Sequence, residues 1–245
     1  MTQTKIWIRE IFKIFNMNKN NSLLIGYFYL FTFLVLPSIP LLQFFSPLII
    51  ILWPIVVVQI VMFFNAKVKV EEFRWLSINS KIRARVPQLI RIGLITFLYA
   101  LIVSTLLSKQ MQSLVEQANS VENNINISAF KNVFMKLFLL MIPLFAATWF
   151  SPMISVFRKE SVFKAIKSSL AGIILYIGPL FFTWIILLFG FGVSIYFIQT
   201  VIGFLSFSQS AFSVISTILI FSMTAIYVSL LFIFQYVSYR DIFKL

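Results

Sequence analysis

Cysteine and histidine are absent from these 245 residues, and acids are few: one aspartate and six glutamates stand against 20 lysines and arginines. Without cysteine there is no disulfide, no thiolate metal site and no thiol nucleophile. Without histidine, and with so few carboxylates, the usual donors for metal binding and acid-base catalysis are nearly missing. No catalytic residue, cofactor or metal is therefore expected. Charge is also absent from whole stretches, and no ionised side chain occurs from Ser168 to Tyr239.

What is present is apolar. Hydrophobic residues make up 60% of the chain, including 30 phenylalanines, and the mean hydropathy is +0.99, which leaves too little polar material to cover a water-soluble globule. The few charges fall in clusters separated by apolar runs of the length a spanning helix needs, about 20 residues. The pattern predicts an all-α polytopic transmembrane helix bundle, a single integral membrane domain over 1–245, with spans near 22–43, 47–65, 87–108, 132–156, 168–190 and 211–237. Pro37, Pro40, Pro54, Pro143 and Pro152 fall inside these runs and predict kinks, because each deletes a backbone donor. A re-entrant first hairpin is the alternative to two full crossings. Gly190 and Gly192 mark a predicted break after the fifth span, and Ser206 to Ser210 a polar turn.

Before the first span, Trp7, Ile8, Ile11, Ile14 and Phe15 recur at helical spacing among Lys5, Arg9 and Lys13, the mark of an amphipathic helix. The apolar run that follows has no small-residue cleavage site, so this segment reads as retained. With six spans both termini share a side, and 17 of the 20 basic residues fall on it. The other side holds Lys109, Lys131 and Lys136 with Glu116 and Glu122, so the net charges are +12 and +1. The positive-inside rule then places both termini in the cytoplasm. The net charge of +13 serves this orientation, and no nucleic-acid partner is expected.

Two basic connectors carry the candidate lipid contacts. In the first, Trp75, Ile78, Ile82 and Val86 recur among Arg74, Lys81, Arg83 and Arg85; in the second, Phe163, Ile166 and Leu170 recur beside Lys164 and Lys167. Each reads as an amphipathic elbow in the headgroup layer, its cations meeting anionic lipid, or as a segment that only sets orientation. Glu71, Glu72 and Glu160 are the acids of these connectors, and they read as charge balance. In the last span Ser213, Thr217, Thr224 and Gln235 share a narrow sector of the helical wheel, a polar stripe suited to helix packing or to lining a pathway.

The run from Trp149 to Leu170, WFSPMISVFRKESVFKAIKSSL, resembles a pattern of uncharacterised proteobacterial inner-membrane proteins: a small-Pro-hydrophobic exit from one span, a basic turn and an Ala-x-x-x-Ser-like helix start. The segment around Pro40, Pro47 and Pro54 is similar to their proline-containing first hairpin. This chain has Ile173 and Ile174 where that family carries Asn. The resemblance implies six helices in a bacterial inner membrane and carries no activity. The expected function is that of a non-catalytic accessory or scaffold component binding lipids, other inner-membrane proteins or a second copy of itself. The alternative is a transporter or lipid-handling permease for an apolar or amphiphilic substrate. A lumen running from face to face along the polar stripe would favour the permease, and a filled bundle the scaffold.

Overall fold

The computed structural model describes residues 2–71, 73, 80–119, 127–204 and 209–244. Among these residues the structure is helical with no strand. Six helical segments are long and apolar enough to cross a membrane: Lys19–Ser38, Gln43–Val68, Val86–Leu114, Ser128–Phe157, Ile177–Phe204 and Phe212–Phe243. The chain is an all-α, multi-pass membrane protein.

Helix α1 (Thr2–Met17) precedes the first span, which comprises α2 (Lys19–Leu30), a π-helical turn (Phe31–Val35) and the short α3 (Leu36–Ser38). The wide turn lies just before Pro37, whose ring crowds the carbonyl four residues earlier and offers it no donor. A π turn is one way a helix absorbs that defect. The span ends sooner than the predicted residue 43 because Ile39, preceding Pro40, is extended, with φ −90° and ψ 117°. Helix α4 (Ser46–Val68) returns with Pro47 in its first turn and Pro54 inside it. The connector then gives the short α5 (Ser80–Arg83), and α6 (Val86–Asn119) forms the third span. The fourth is divided into α7 (Ile127–Thr148) and α8 (Ser151–Phe157), and is followed by α9 (Val162–Leu175), α10 (Ile177–Phe204) and α11 (Gln209–Phe243).

The fifth span differs from expectation at both ends. Residues 168–175 belong to α9, and α10 begins only at Ile177. No charge marks that boundary; Pro179 makes it, by withdrawing a donor from the Leu175 carbonyl. Gly190 and Gly192 do not interrupt α10, which continues to Phe204. In hydrocarbon a broken helix leaves its backbone groups unpaired, so glycine alone does not end one.

Helices α4 and α11 are the most buried spans. Helix α11 packs on α1, α2, α4 and α10, and α4 packs on α6 and α8 as well. Two of these contacts depend on glycine. A Cβ on Gly26 of α2 would lie 2.0 Å from the Ala225 carbonyl oxygen of α11, and one on Gly93 of α6 would lie 2.0 Å from the Ile51 carbonyl oxygen of α4. Such backbone approach is how membrane helices gain contact area where lipid competes equally well for apolar side chains.

Burial is concentrated at one end. Phe232 to Tyr239 of α11 are all buried, whereas Phe212, Ser213 and Val214 are exposed. Val57 and Phe64 of α4 are buried, whereas Leu48 and Leu52 are exposed. The filled end carries both terminal segments. The apolar face of α1, formed by Trp7, Ile11, Ile14 and Phe15, is buried against α10 and α11. The Trp7 indole donates to Asp241 Oδ2 at 2.8 Å, the Gln3 amide donates to the same oxygen, and Arg240 pairs with Glu10. A partly exposed ion pair contributes little, so the buried apolar face holds the helix and the polar contacts set its register.

Candidate functional site

The break between α7 and α8 organises the middle of the bundle. Pro152, in the first turn of α8, has no N–H to give the Thr148 carbonyl. The hydroxyl of the fully buried Ser169 on α9 accepts from the Phe150 N–H at 3.2 Å and donates to the Ala146 carbonyl at 2.8 Å. Those two backbone groups would bond each other in an unbroken helix, so the hydroxyl is inserted into the ladder. From the other side, the buried Gln235 of α11 donates its Nε2–H to the Trp149 carbonyl at 2.6 Å. Two helices thus clasp the interrupted strand of hydrogen bonds in a third. Gln235 belongs to the sequence-predicted stripe, whereas Ser169 carried no signal beyond its place in the run after the basic turn.

Beside this break lies a cavity of about 340 Å³, walled by α2, its π turn, α4, α6, α7, α8 and α11. Trp53, Tyr29, Phe33 and Phe232 form one side of it, with ring centroids 4.6 Å apart for Phe33 and Trp53, 4.8 Å for Tyr29 and Phe33, and 5.3 Å for Tyr29 and Trp53. Trp149 and Pro152 contribute the broken backbone, Pro54 lines the space from within the continuous α4, and no charged residue does so. Two of the three wall hydroxyls are engaged, Thr96 with the Ile92 carbonyl at 2.9 Å and Thr148 with the Leu144 carbonyl at 2.7 Å, and Tyr29 supplies the third. Buried side-chain oxygens without a hydrogen-bond partner occur at Ser22, Gln88, Ser151 and Ser155, and none of these residues lines the cavity. Toward the termini its floor is buried Val57, Ile92 and Gln235, and one or two turns further along the same helices the buried Phe64 and Tyr239 fill the bundle. Away from the termini its rim is Phe33, Ile50 and Phe145, the last 62% exposed.

The four polar-stripe residues do not share one environment. Ser213 and Thr217 lie on the exposed part of α11, Thr224 is half-buried, and Gln235 alone reaches the cavity. The Thr217 and Thr224 hydroxyls donate to Ser213 and Ile220 carbonyls one turn back, at 2.8 Å each.

Both basic connectors lie at the filled end. Arg158 sits over the Phe243 ring at 5.5 Å and Arg240 over Tyr236 at 5.7 Å. Lys81 and Arg83 are exposed on α5 and Arg85 is half-buried, while Ile82 between them is buried in the protein. Arg74, Glu72, Trp75 and Ile78 lie outside the described residues. On α9 the inward face is small, with Val162, Ala165, Ser169 and Gly172, and the outward face carries Phe163, 76% exposed, beside exposed Lys164 and Lys167. Ile166 and Leu170 are half-buried at its edges. The Glu160 carboxylate accepts from the Ser168 hydroxyl at 2.8 Å, tying the connector to α9. Among the described residues no group of three His, Cys, Asp or Glu is arranged to hold a metal ion.

Comparison with protein-family models, with curated proteins and with solved structures returns no match.

Proposed function

We propose that this chain is a non-catalytic accessory protein of a bacterial inner membrane, with cytoplasmic termini, that works by binding anionic lipid and neighbouring membrane segments. The observation that carries this reading is the filled end of the bundle under a basic rim. Buried side chains including Trp7 and Tyr239 close that end, and outside them exposed Lys164 and Lys167 lie beside exposed Phe163 on α9. An aromatic ring beside two lysines suits the boundary between acyl chains and headgroups. The run from Trp149 to Leu170 supports the choice of membrane through its resemblance to proteobacterial inner-membrane proteins. A lipid-handling permease is the second reading, favoured by the uncharged cavity beside the helix break.

Two experiments test the proposal. Replacing Lys81, Arg83, Lys164 and Lys167 together by Gln is expected to lower retention of phosphatidylglycerol or cardiolipin in native mass spectrometry by about tenfold or more, since each cation near an anionic surface contributes about 1 kcal/mol. Retention of a zwitterionic lipid should not change, and equal anionic adducts before and after would remove the headgroup role. For orientation, the cysteine-free chain permits labelling of single introduced cysteines without background. A membrane-impermeant maleimide is expected to reach Ser113→Cys from outside the inner membrane, and Thr2→Cys, Lys81→Cys and Lys244→Cys only after lysis. Labelling of residues 2 and 244 from opposite sides would defeat the six-span topology.

A further inference from the structure

We infer that the cavity beside the α7–α8 break holds an acyl chain of a membrane phospholipid, reaching in from the leaflet opposite the termini. Its walls carry no charge and are mostly aliphatic and aromatic; the Thr96 and Thr148 hydroxyls and a Gln235 amide N–H have backbone partners, which leaves few polar points, the Tyr29 hydroxyl and the Trp53 and Trp149 indole N–H groups among them. The rim residues Phe33, Ile50 and Phe145 belong to spanning segments and lie on the side of Val57 and Ile92 away from the termini, where Leu34, Leu48, Leu52 and Phe145 are exposed. What lies against that rim in a bilayer is hydrocarbon. At about 340 Å³ the space is within the range of ligand pockets, roughly 300–1,000 Å³, and takes part of one aliphatic chain. The stacked and edge-on rings of Tyr29, Phe33 and Trp53 give that chain a stiff wall to pack on, and in hydrocarbon such packing, more than escape from water, stabilises association. The inference deepens the lipid-binding reading by naming an acyl-chain site, and it is independent of the basic rim.

Trp149 lines the cavity, Trp184 lies half-buried on the peripheral α10, and Trp7 is fully buried at the filled end, so the chain carries its own reporter and both references. The full chain, in versions that keep one of these three tryptophans and have Phe at the chain's other four, would be placed in nanodiscs of phospholipid brominated along its acyl chains. Fluorescence of Trp149 is expected to be quenched at least half as strongly as that of Trp184, with Trp7 nearly unaffected. Filling the cavity by Thr96→Phe, or by Val228→Phe if the first variant does not fold, should reduce Trp149 quenching twofold or more and leave Trp184 unchanged. Trp149 quenched no more than Trp7, or quenched regardless of the filling substitutions, overturns the inference. Quenching that persists when Lys81, Arg83, Lys164 and Lys167 are neutralised separates this result from failure of the headgroup reading.

Discussion

Alanine at Gly93 is expected to force α4 and α6 apart and to lower the apparent melting temperature in detergent by roughly 10 °C, while alanine at Gly190 leaves it unchanged or slightly higher. The added methyl at Gly93 meets the Ile51 carbonyl oxygen, carbon and Cα at 2.0, 2.6 and 2.8 Å. All three are backbone atoms, so no side chain can rotate away. Overpacking of this kind costs about 1–3 kcal/mol, and a rigid helix on both sides places Gly93 at the upper end. At roughly 2–4 °C per kcal/mol for a chain of this size, that is the stated shift. Gly26→Ala should behave alike, since its Cβ would meet the Ala225 carbonyl oxygen at 2.0 Å and Ser229 Oγ at 2.6 Å. At Gly190 nothing lies within 4 Å of the same atom. Heating followed by fluorescence-detected size exclusion measures all three, and a Gly93→Ala protein as stable as the parent would refute the close α4–α6 contact.

The second large effect is expected at the clasp. Ser169→Ala leaves the Phe150 N–H and the Ala146 carbonyl without the hydroxyl that joins them, and Gln235→Leu strips the donor from the Trp149 carbonyl. Each buried group left unpaired costs about 1–3 kcal/mol. Both single variants should therefore melt several degrees lower, and the double variant should fall by less than their sum because the two side chains brace one break. Ser213→Ala and Thr217→Ala, at exposed positions of α11, should leave stability unchanged. Additive losses at Ser169 and Gln235 would mean that the two hold separate structures.

Hydropathy and charge clustering were enough to read the spanning layout, because in lipid every crossing must be long, apolar and helical. Boundaries were legible where a proline or a charge cluster marks them, as at Pro87. They were misplaced where the chain is uncharged on both sides: nothing before the structure distinguished residues 168–175, in α9, from the span that follows. The elbow at α9 shows a different limit. Its apolar periodicity was visible through Phe163, Ile166 and Leu170, yet the face that meets the protein is Ala165, Ser169 and Gly172. In a membrane the bulky face can turn to lipid while the small face admits a close neighbour, the reverse of a helix on a soluble protein. Gly26, Gly93 and Ser169 were silent for a related reason. Their roles depend on the register of one helix against another, and no single segment encodes that. The cavity follows from the same register, since Trp53, Trp149 and Gln235 come from three different spans.

The pairing of Glu10 with Arg240 joins residues 230 positions apart. At ribosomal rates of about 5–20 residues per second, roughly ten to fifty seconds separate the appearance of one partner from that of the other. Until α10 and α11 are made, the Trp7, Ile11 and Phe15 face of α1 lacks the helices it is buried against, and it must wait on lipid or on a chaperone. Helix α1, made before the six spans, thus finds its place after them, and its docking reports that α11 has arrived.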